Sequence, residues 1–513
     1  MHHERNKEID MIGSNTERTV IRGVTVVSTR DGSLSPGMDL FLEHNRIERI
    51  GRAGIIEIEK GTRIVEASGK YVVPGYLDMH AHAMFSDAVQ ASGGGSNAGF
   101  NPSFNLMIAN GITGFREMAG SGGLLAEKKT LLEQIEAGTA IAPEPLIMAG
   151  EVVNIFSGQG LSFFKESGAA AASPAERARA GVQRQKGYGA EFIKIVYVDR
   201  EAFFAVVDAA TRAGLYVAGH LNPVVSAREA SDAGMRAIEH LGPILAVLVD
   251  CSFMEKTIRK KLTAPTSAPV LPGPPTPEMI RRIVANPTML AWERPGVGTG
   301  MRFVVRTFSK RKARSLARTF VANGTWHVPT LIRSRTMQIS DDPAYGGDPN
   351  LKYVSPETRA MWAELTDGFR KKAPEKTRAA FRELYGAQVR LVKILKEEGV
   401  KMLAGSDMTG IYCIPGFSLH QEFAELSKAG LSPLEILQMT TLDAAGFLGR
   451  EATMGAVEEG KNADLVLLDA NPLESVENLC RIHGVVLKGQ YFPGPELERM
   501  KDDVEAFYAK SGS

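Results

Sequence analysis

The sequence predicts an α/β protein of repeated parallel strand–helix units, joined to a small β module drawn from both ends of the chain. Two patterns carry this. From Pro74 onward, apolar strand, loop and amphipathic helix follow one another many times, as in parallel βα repeats. Before Pro74, and again near the C-terminus, short β-type runs take over. A chain of 513 residues accommodates one large catalytic domain with such an accessory module.

Residues 1–17 form a polar, charged leader without the apolar core of a signal peptide. Thr19–Ser28, Asp39–Glu43, Arg46–Ile50 and Lys70–Val73 read as strands, with Gly32 and Asn45 at intervening turns. Phe192–Tyr197 reads as a buried strand, and a helix over Glu201–Ala213 stops at Gly214. Leu215–Gly219 is the next strand, a helix through Ala227–Ala233 stops at Gly234, and Arg236–Glu239 is the strand after that. Ser173–Glu176 and Ser432–Glu435 each combine a capping serine, proline at the first helical position and glutamate at the third, which marks a helix start. Residues 262–277 are proline-rich, and Pro356–Glu398 reads as helical. The interval from about Asp250 to Pro329 reads as an insertion over the mouth of the repeat domain, either a surface excursion or a cover for substrate. Ala463–Leu468 and Val485–Tyr491 return to β character. The expected division is a first β part at 18–75, the repeat domain at 76–454, a second β part at 455–495 and a tail at 496–513.

Composition excludes several function classes. Lys and Arg number 60 against 59 Asp and Glu, with no polybasic block, so neither nucleic acid nor an anionic membrane is expected as a partner. No apolar run reaches the length of a membrane span. Cys251, Cys413 and Cys480 form no CxxC pair, which argues against a disulfide framework and a cysteine zinc site. No GxGxxG or P-loop stands between a strand and a helix, so no nucleotide is expected. The expectation is a soluble cytoplasmic protein acting on a small molecule.

The placement of the histidines is the most informative feature. His80 and His82 end the apolar run that begins at Tyr71, His220 follows Leu215–Gly219, and His240 follows Ala237-Ile238-Glu239. Alternate strand residues face the same way, so His80 and His82 project together. A single strand-end histidine is ordinarily a satisfied core residue. A His-x-His pair with two further strand-end histidines points to metal, because imidazole is the commonest metal ligand. Lys194 stands inside the apolar run Phe192–Tyr197, where a charged amine is costly. It either snorkels at a strand edge or reacts as a neutral amine with CO₂, giving a carbamate whose two oxygens can bridge two cations. Asp407 ends the apolar run from Lys401; it can ligate a metal and take a proton from bound water, or cap a helix. His327, in Trp326-His327-Val328, ends a strand where it either contacts substrate or packs in the core. The glycine-rich run Ala91–Gly99 has the composition of a lid.

Together these residues resemble the amidohydrolase superfamily, and within it the imidazolonepropionase-like and Xaa-Pro dipeptidase (prolidase-like) branch. Pro74-Gly75-Tyr76-Leu77-Asp78 matches the lead into the His-x-His pair, and Gly460-Lys461-Asn462-Ala463-Asp464-Leu465-Val466 the return to the β module. His80, His82, Lys194, His220, His240 and Asp407 follow the ligand order residue by residue, within a resemblance that covers roughly 18–495. Two departures stand out. Arg116-Glu117-Met118-Ala119 replaces the common Arg-Asp-Met-Gly, and the stretch between His240 and Asp407 is long.

The resemblance implies a (β/α)8 TIM barrel with a small discontinuous β-sandwich domain formed by both chain ends. It implies two divalent metal ions, zinc above all, bridged by the CO₂-derived carbamate on Lys194. His80, His82 and Asp407 would take the inner ion, His220 and His240 the outer. Ligation lowers the pKa of a bound water towards neutrality. Asp407 would carry its proton to the departing amine. Tyr197 would donate to the carbonyl oxygen as it becomes an oxyanion, unless it is rim packing. The implied activity is hydrolysis of an amide or peptide bond by metal-bound hydroxide, in a small molecule such as a Xaa-Pro-type dipeptide, N-acyl amino acid or aryl amide. The alternatives are a mononuclear deaminase or cyclic-amide hydrolase, which would dispense with the carbamate, and a non-enzymatic scaffold, which would lack the ligands. A homo-oligomer is compatible with the resemblance.

Overall fold

The computed structural model describes residues 18–55, 57–84, 100–155, 173–242, 245–264, 276–408 and 410–511. The leader and the run Ala91–Gly99 lie outside them.

Strands β1 (Thr19–Val27), β2 (Leu34–Glu43), β3 (Arg46–Arg52), β4 (Arg63–Glu66) and β5 (Tyr71–Pro74) open the chain. His44 and Asn45 join β2 to β3, both at positive φ, in the two-residue turn whose twist suits a hairpin. The parallel strands follow: β6 (Tyr76–Ala81), β7 (Ile112–Glu117), β8 (Glu144–Met148), β9 (Val153–Ile155), β10 (Phe192–Val198), β11 (Tyr216–Gly219), β12 (Ala237–Glu239) and β13 (Trp326–Val328). They pair in chain order as two sheets, β6-β7-β8 and β9-β10-β11-β12-β13. An isolated parallel bridge from Ala149 to Phe192 links the two, and another joins His327 to Met402. Lys401–Asp407 was expected as a strand but makes only that bridge. Gly405 then passes against His80, where even a Cβ would lie 2.7 Å from the His80 Cβ, and the Asp407 amide beyond it donates to the His80 carbonyl at 2.8 Å.

The chain closes with β14 (Leu465–Leu468), β15 (Ile482–Leu487) and β16 (Gln490–Pro493). These join the opening strands in one sheet of order β16-β15-β14-β5-β1-β2-β3, with β4 beside β1. Both chain ends therefore meet, around a core that includes Ile21, Leu40, Val65, Leu465 and Val486.

The parallel strands bury two apolar faces. Leu77, Met79, Leu146, Phe192, Ala237, Trp326 and Val328 share an inner cluster, while Ile193, Ile195, Val217 and Ile238 pack outward with residues of the helix Arg200–Arg212. Two-sided burial is why these strands read as unbroken apolar runs.

Three stretches differ from the sequence reading. Pro356–Glu398 is two helices, Pro356–Lys372 and Glu375–Glu397, separated at Pro374, whose ring and missing amide disfavour continuation. Much of the described part of the Asp250–Pro329 interval is helical, with helices Glu255–Leu262, Pro277–Ala285 and Val297–Arg306. Its last part, helix Lys310–Asn323 and β13, belongs to the strand–helix repeat instead. The expected tail is the helix Gly494–Ser511. Leu497 and Val504, seven residues apart on one helical face, are buried there, and Leu497 packs with Ile108 and Phe492. Both expected capping boxes, at Ser173 and Ser432, are formed. Among the described residues, no helix is long and apolar enough to cross a membrane.

Candidate metal centre

Strict strand alternation would scatter the candidate residues. On β6, Leu77 and Met79 face the inner core, which would turn His80 outward. The step from Asp78 to Ala81, however, pairs with the shorter step from Phe115 to Glu117 on β7. The extra residue reverses the facing, and His80 and His82 turn in. β10 repeats the device. Phe192 and Lys194 share the inner face, and an extra residue between Ile195 and Tyr197, set against Val153 and Asn154, returns Tyr197 to it. Val198 beyond packs outward.

At β12 the backbone does the turning. Glu239 takes the inward position, and His240 follows at φ 55°. Asp407 at φ 49° and Thr330 at φ 42° are also left-handed. Each such conformation costs of order 1–3 kcal/mol, and such strain gathers at functional sites.

Asp407 is the centre of the cluster. Its Oδ1 lies 3.3 Å from His82 Nε2 and 3.5 Å from His80 Nε2. Its Oδ2 lies 3.8 Å from His240 Nε2 and 3.1 Å from Arg333 Nε. His80, His240 and Asp407 present possible ligand atoms all within 4.8 Å of one another. The His220 ring stands 5.0 Å from that of His240, and its Nδ1 is buried without a hydrogen-bond partner among the described residues.

The opposite ring nitrogens of His80 and His240 are anchored by hydrogen bonds, while that of His82 lies near a carboxylate without one. His80 Nδ1 is 2.7 Å from Glu239 Oε2, His240 Nδ1 is 2.5 Å from Thr330 Oγ1, and His82 Nδ1 is 3.4 Å from Glu117 Oε1. Partners of this kind orient metal-ligating imidazoles. Arg116 in turn donates to Glu239 at 2.8 Å, with both side chains fully buried.

Charge follows from burial. Desolvation pushes His80, His220 and His240 well below the ordinary imidazole value, and Lys194 nearby adds to the effect, leaving neutral rings able to ligate. Burial also lowers His82, but the Asp407 and Glu117 carboxylates outweigh it and raise that ring to about 9. Burial alone would raise Asp407; facing His80, His240, His82 and Arg333, it is held well below the usual carboxylate range. Lys194 is 3% exposed, and burial pushes its amine down to about 8. The Glu239 and Asp407 carboxylates act against that fall.

Tyr197 stands at the rim, 37% exposed, and the protein around it raises its phenol. His327 is not brought to the cluster. Trp326 and Val328 on either side fill the inner core, while the His327 ring packs 4.5 Å from Phe320 in the opposite layer. Both His327 ring nitrogens are buried without a hydrogen-bond partner among the described residues.

The sequence reading did not assign Arg116, Glu117, Glu239, Thr330 or Arg333 to the site. The first three are charges ending apolar strands, the same signal that singled out Lys194. Glu117 also accounts for one departure noted above, since it approaches His82 from the position where aspartate is common. Thr330 and Arg333 carry no local signal, because their partners come from distant strands.

A solved bottromycin amidohydrolase is similar along most of the chain, with a TM-score of 0.67 at 20% identity over 97% of this chain and 91% of that one. A Xaa-Pro dipeptidase solved with methionine in its active site gives 0.61 at 18% identity over 93% and 100%. Local sequence similarity reaches 31% over 107 residues with the adenine deaminase of Rubrobacter xylanophilus, 19% of this chain and 17% of that protein. It reaches 39% over 83 residues with the imidazolonepropionase of Treponema denticola, 15% and 19% of the two chains. The matched segments thus span less than a fifth of these curated relatives. Residues 357–491, which include Asp407, match the amidohydrolase family. That stretch matches the family, and the chain as a whole is similar in fold to an amidohydrolase and a Xaa-Pro dipeptidase.

Proposed function

We propose that the protein is a hydrolase of carbon–nitrogen bonds that works with two divalent cations, zinc above all, on a (β/α)8 barrel flanked by a β-sandwich. Lys194 carries the reading: it is buried, burial lowers its amine to about 8, and it lies close enough to His80, His220 and His240 to lower theirs as well. A charged amine in such a place is costly. A carbamate made from the neutral amine and CO₂ is an anion with two oxygens suited to bridging two cations.

The donor set fits. Neutral imidazoles and a carboxylate are zinc ligands. His80, His220 and His240 are held neutral, and His82 would give up its proton on binding an ion. The anchored outer nitrogens of His80 and His240 match the way such ligands are held. His80, His82 and Asp407 would hold one ion and His220 and His240 the other, with Lys194 between. Ions bound there would polarise a substrate carbonyl and acidify a water molecule. Asp407, with Oδ1 and Oδ2 facing different sides of the site, would take a proton from that water and return it to the departing nitrogen. Tyr197 would donate a hydrogen bond to the carbonyl oxygen as negative charge develops on it. The barrel reading is supported by the Ala149–Phe192 and His327–Met402 bridges and by the Met79 amide, which donates to the Ala404 carbonyl at 2.9 Å. Those links lead from β6 round to β6 again.

The substrate class proposed is a small amide: a Xaa-Pro-type dipeptide, an N-acyl amino acid or an aryl amide. The structural neighbours support it. Local similarity to an adenine deaminase and an imidazolonepropionase favours a second reading, attack on a cyclic carbon–nitrogen bond. A screen of zinc-loaded protein against both groups of compounds separates them. Hydrolysis of the amides, lost to a chelator and regained with zinc, cobalt or manganese, is expected. Turnover of cyclic substrates alone would favour the second reading.

A further inference from the structure

Arg333 lies in the helix Leu331–Gln338 beyond β13 and is 5% exposed. Its Nε donates to Asp407 Oδ2 at 3.1 Å, its Nη1 to the Ala285 carbonyl at 2.5 Å and its Nη2 to the Val284 carbonyl at 2.5 Å. Those two carbonyls belong to the last turn of the insertion helix Pro277–Ala285. A helix end leaves such carbonyls unsatisfied and partially negative, so a cation there is favoured twice over. The rigid guanidinium fork spans three acceptors on two separate segments, which the single ammonium of a lysine does not.

The surroundings hold this arrangement in place. A Cβ at position 410 would meet Arg333 Nη1 at 2.3 Å, so the glycine there admits the guanidinium. The Ile411 amide donates to the same Ala285 carbonyl at 2.9 Å, binding the chain after Asp407 to the same helix end. Asn286 fixes that end from the other side: its Nδ2 donates to the Met337 carbonyl at 3.2 Å and its Oδ1 accepts from the Thr288 amide at 3.1 Å.

We infer that Arg333 is a positioning residue and that the insertion, through Val284 and Ala285, is part of the metal site. The helix end fixes the guanidinium, and the guanidinium fixes Asp407 Oδ2, which leaves Oδ1 towards His80 and His82. The insertion, open in the sequence reading between excursion and cover, acts as a buttress. This inference rests on the reading of Asp407 as a metal ligand.

The test is zinc affinity, measured by competition with a chelator on the wild-type, Arg333→Lys, Arg333→Ala and Asn286→Ala proteins. The visible spectrum of each cobalt-loaded protein reports ligand geometry alongside. Residues that orient metal ligands typically cost about 10–100-fold in affinity when replaced. Arg333→Ala should lose that much for one ion and shift the cobalt bands. Arg333→Lys keeps the charge but lacks the fork, and should lose nearly as much. Guanidinium in the buffer should restore Arg333→Ala and leave Arg333→Lys unchanged. Asn286→Ala touches neither Asp407 nor Arg333, yet should weaken zinc binding in the same direction. Wild-type affinity and spectrum in Arg333→Lys would overturn the positioning role, and an unaffected Asn286→Ala would overturn the part given to the insertion. These two variants decide the matter if Arg333→Ala does not fold. A wild-type protein that binds no divalent ion would instead remove the metal-site reading itself.

Discussion

In the proposed reading Lys194 and Asp407 divide the work of the site between them, and each has its own expected signature. Lys194→Ala removes the proposed bridging group, so it should lose most bound metal together with activity. Short carboxylic acids added to the buffer should partly restore both, by supplying the missing oxygens. A Lys194→Ala protein that keeps two ions and full activity would leave only the snorkelling explanation. Asp407→Asn should lower kcat by about 10²–10⁴-fold, the range of general acid–base catalysis. Tyr197→Phe removes one hydroxyl and should cost about 10²–10³-fold, with kcat and kcat/KM falling together and KM little changed. An unchanged Tyr197→Phe enzyme would make that tyrosine rim packing. At this scale the sequence was legible wherever a charge interrupts an apolar strand. Lys194 was read that way, and Arg116, Glu117 and Glu239 meet the same criterion. Thr330 and Arg333 do not, since only the folded chain brings them to His240 and Asp407.

Among the elements, β10 and β11 set the register that presents Lys194 and His220. Gly219 lies between them at φ 137°, where a Cβ would fall 2.0 Å from the Ile195 carbonyl oxygen. Gly219→Ala should therefore separate the two strands, lower stability by more than ~1 kcal/mol and reduce metal content. Wild-type denaturant stability and metal content in that variant would show that the strand ends tolerate the shift. β13 offers a different test. His327 is buried and neutral, pushed by burial from 6.5 down to about 3. The unfolded chain takes up the proton first, so its contribution to stability is complete above about 6.5 and is lost as pH falls towards about 3. His327→Leu should flatten the acid limb of the stability profile in that window and leave metal content unchanged. A loss of metal would place His327 back among the site residues. The strands themselves were legible because burial on both faces leaves an unbroken apolar signature. The extra residues in β6 and β10 were not, because a bulge is a relation between two strands and one strand's sequence does not encode it.

Across the whole molecule, the meeting of the chain ends in one sheet followed from β-type runs at both termini, and the pairing of β14 with β5 bears that expectation out. The C-terminal helix was missed because its apolar positions are few and widely spaced, and only their burial against Ile108 and Phe492 reveals the face they form. The insertion was legible as a departure from the repeat, though not as a support for Asp407, since a backbone carbonyl carries no sequence signature. In the proposed reading, distant strands present one site for two cations. That reading is tested most directly by elemental analysis of metal in protein purified without chelators, with activity measured on the same sample before and after metal removal. Protein prepared in this way should carry about two divalent ions per chain and lose hydrolysis when they are stripped. Full activity in thoroughly metal-free protein would contradict that reading.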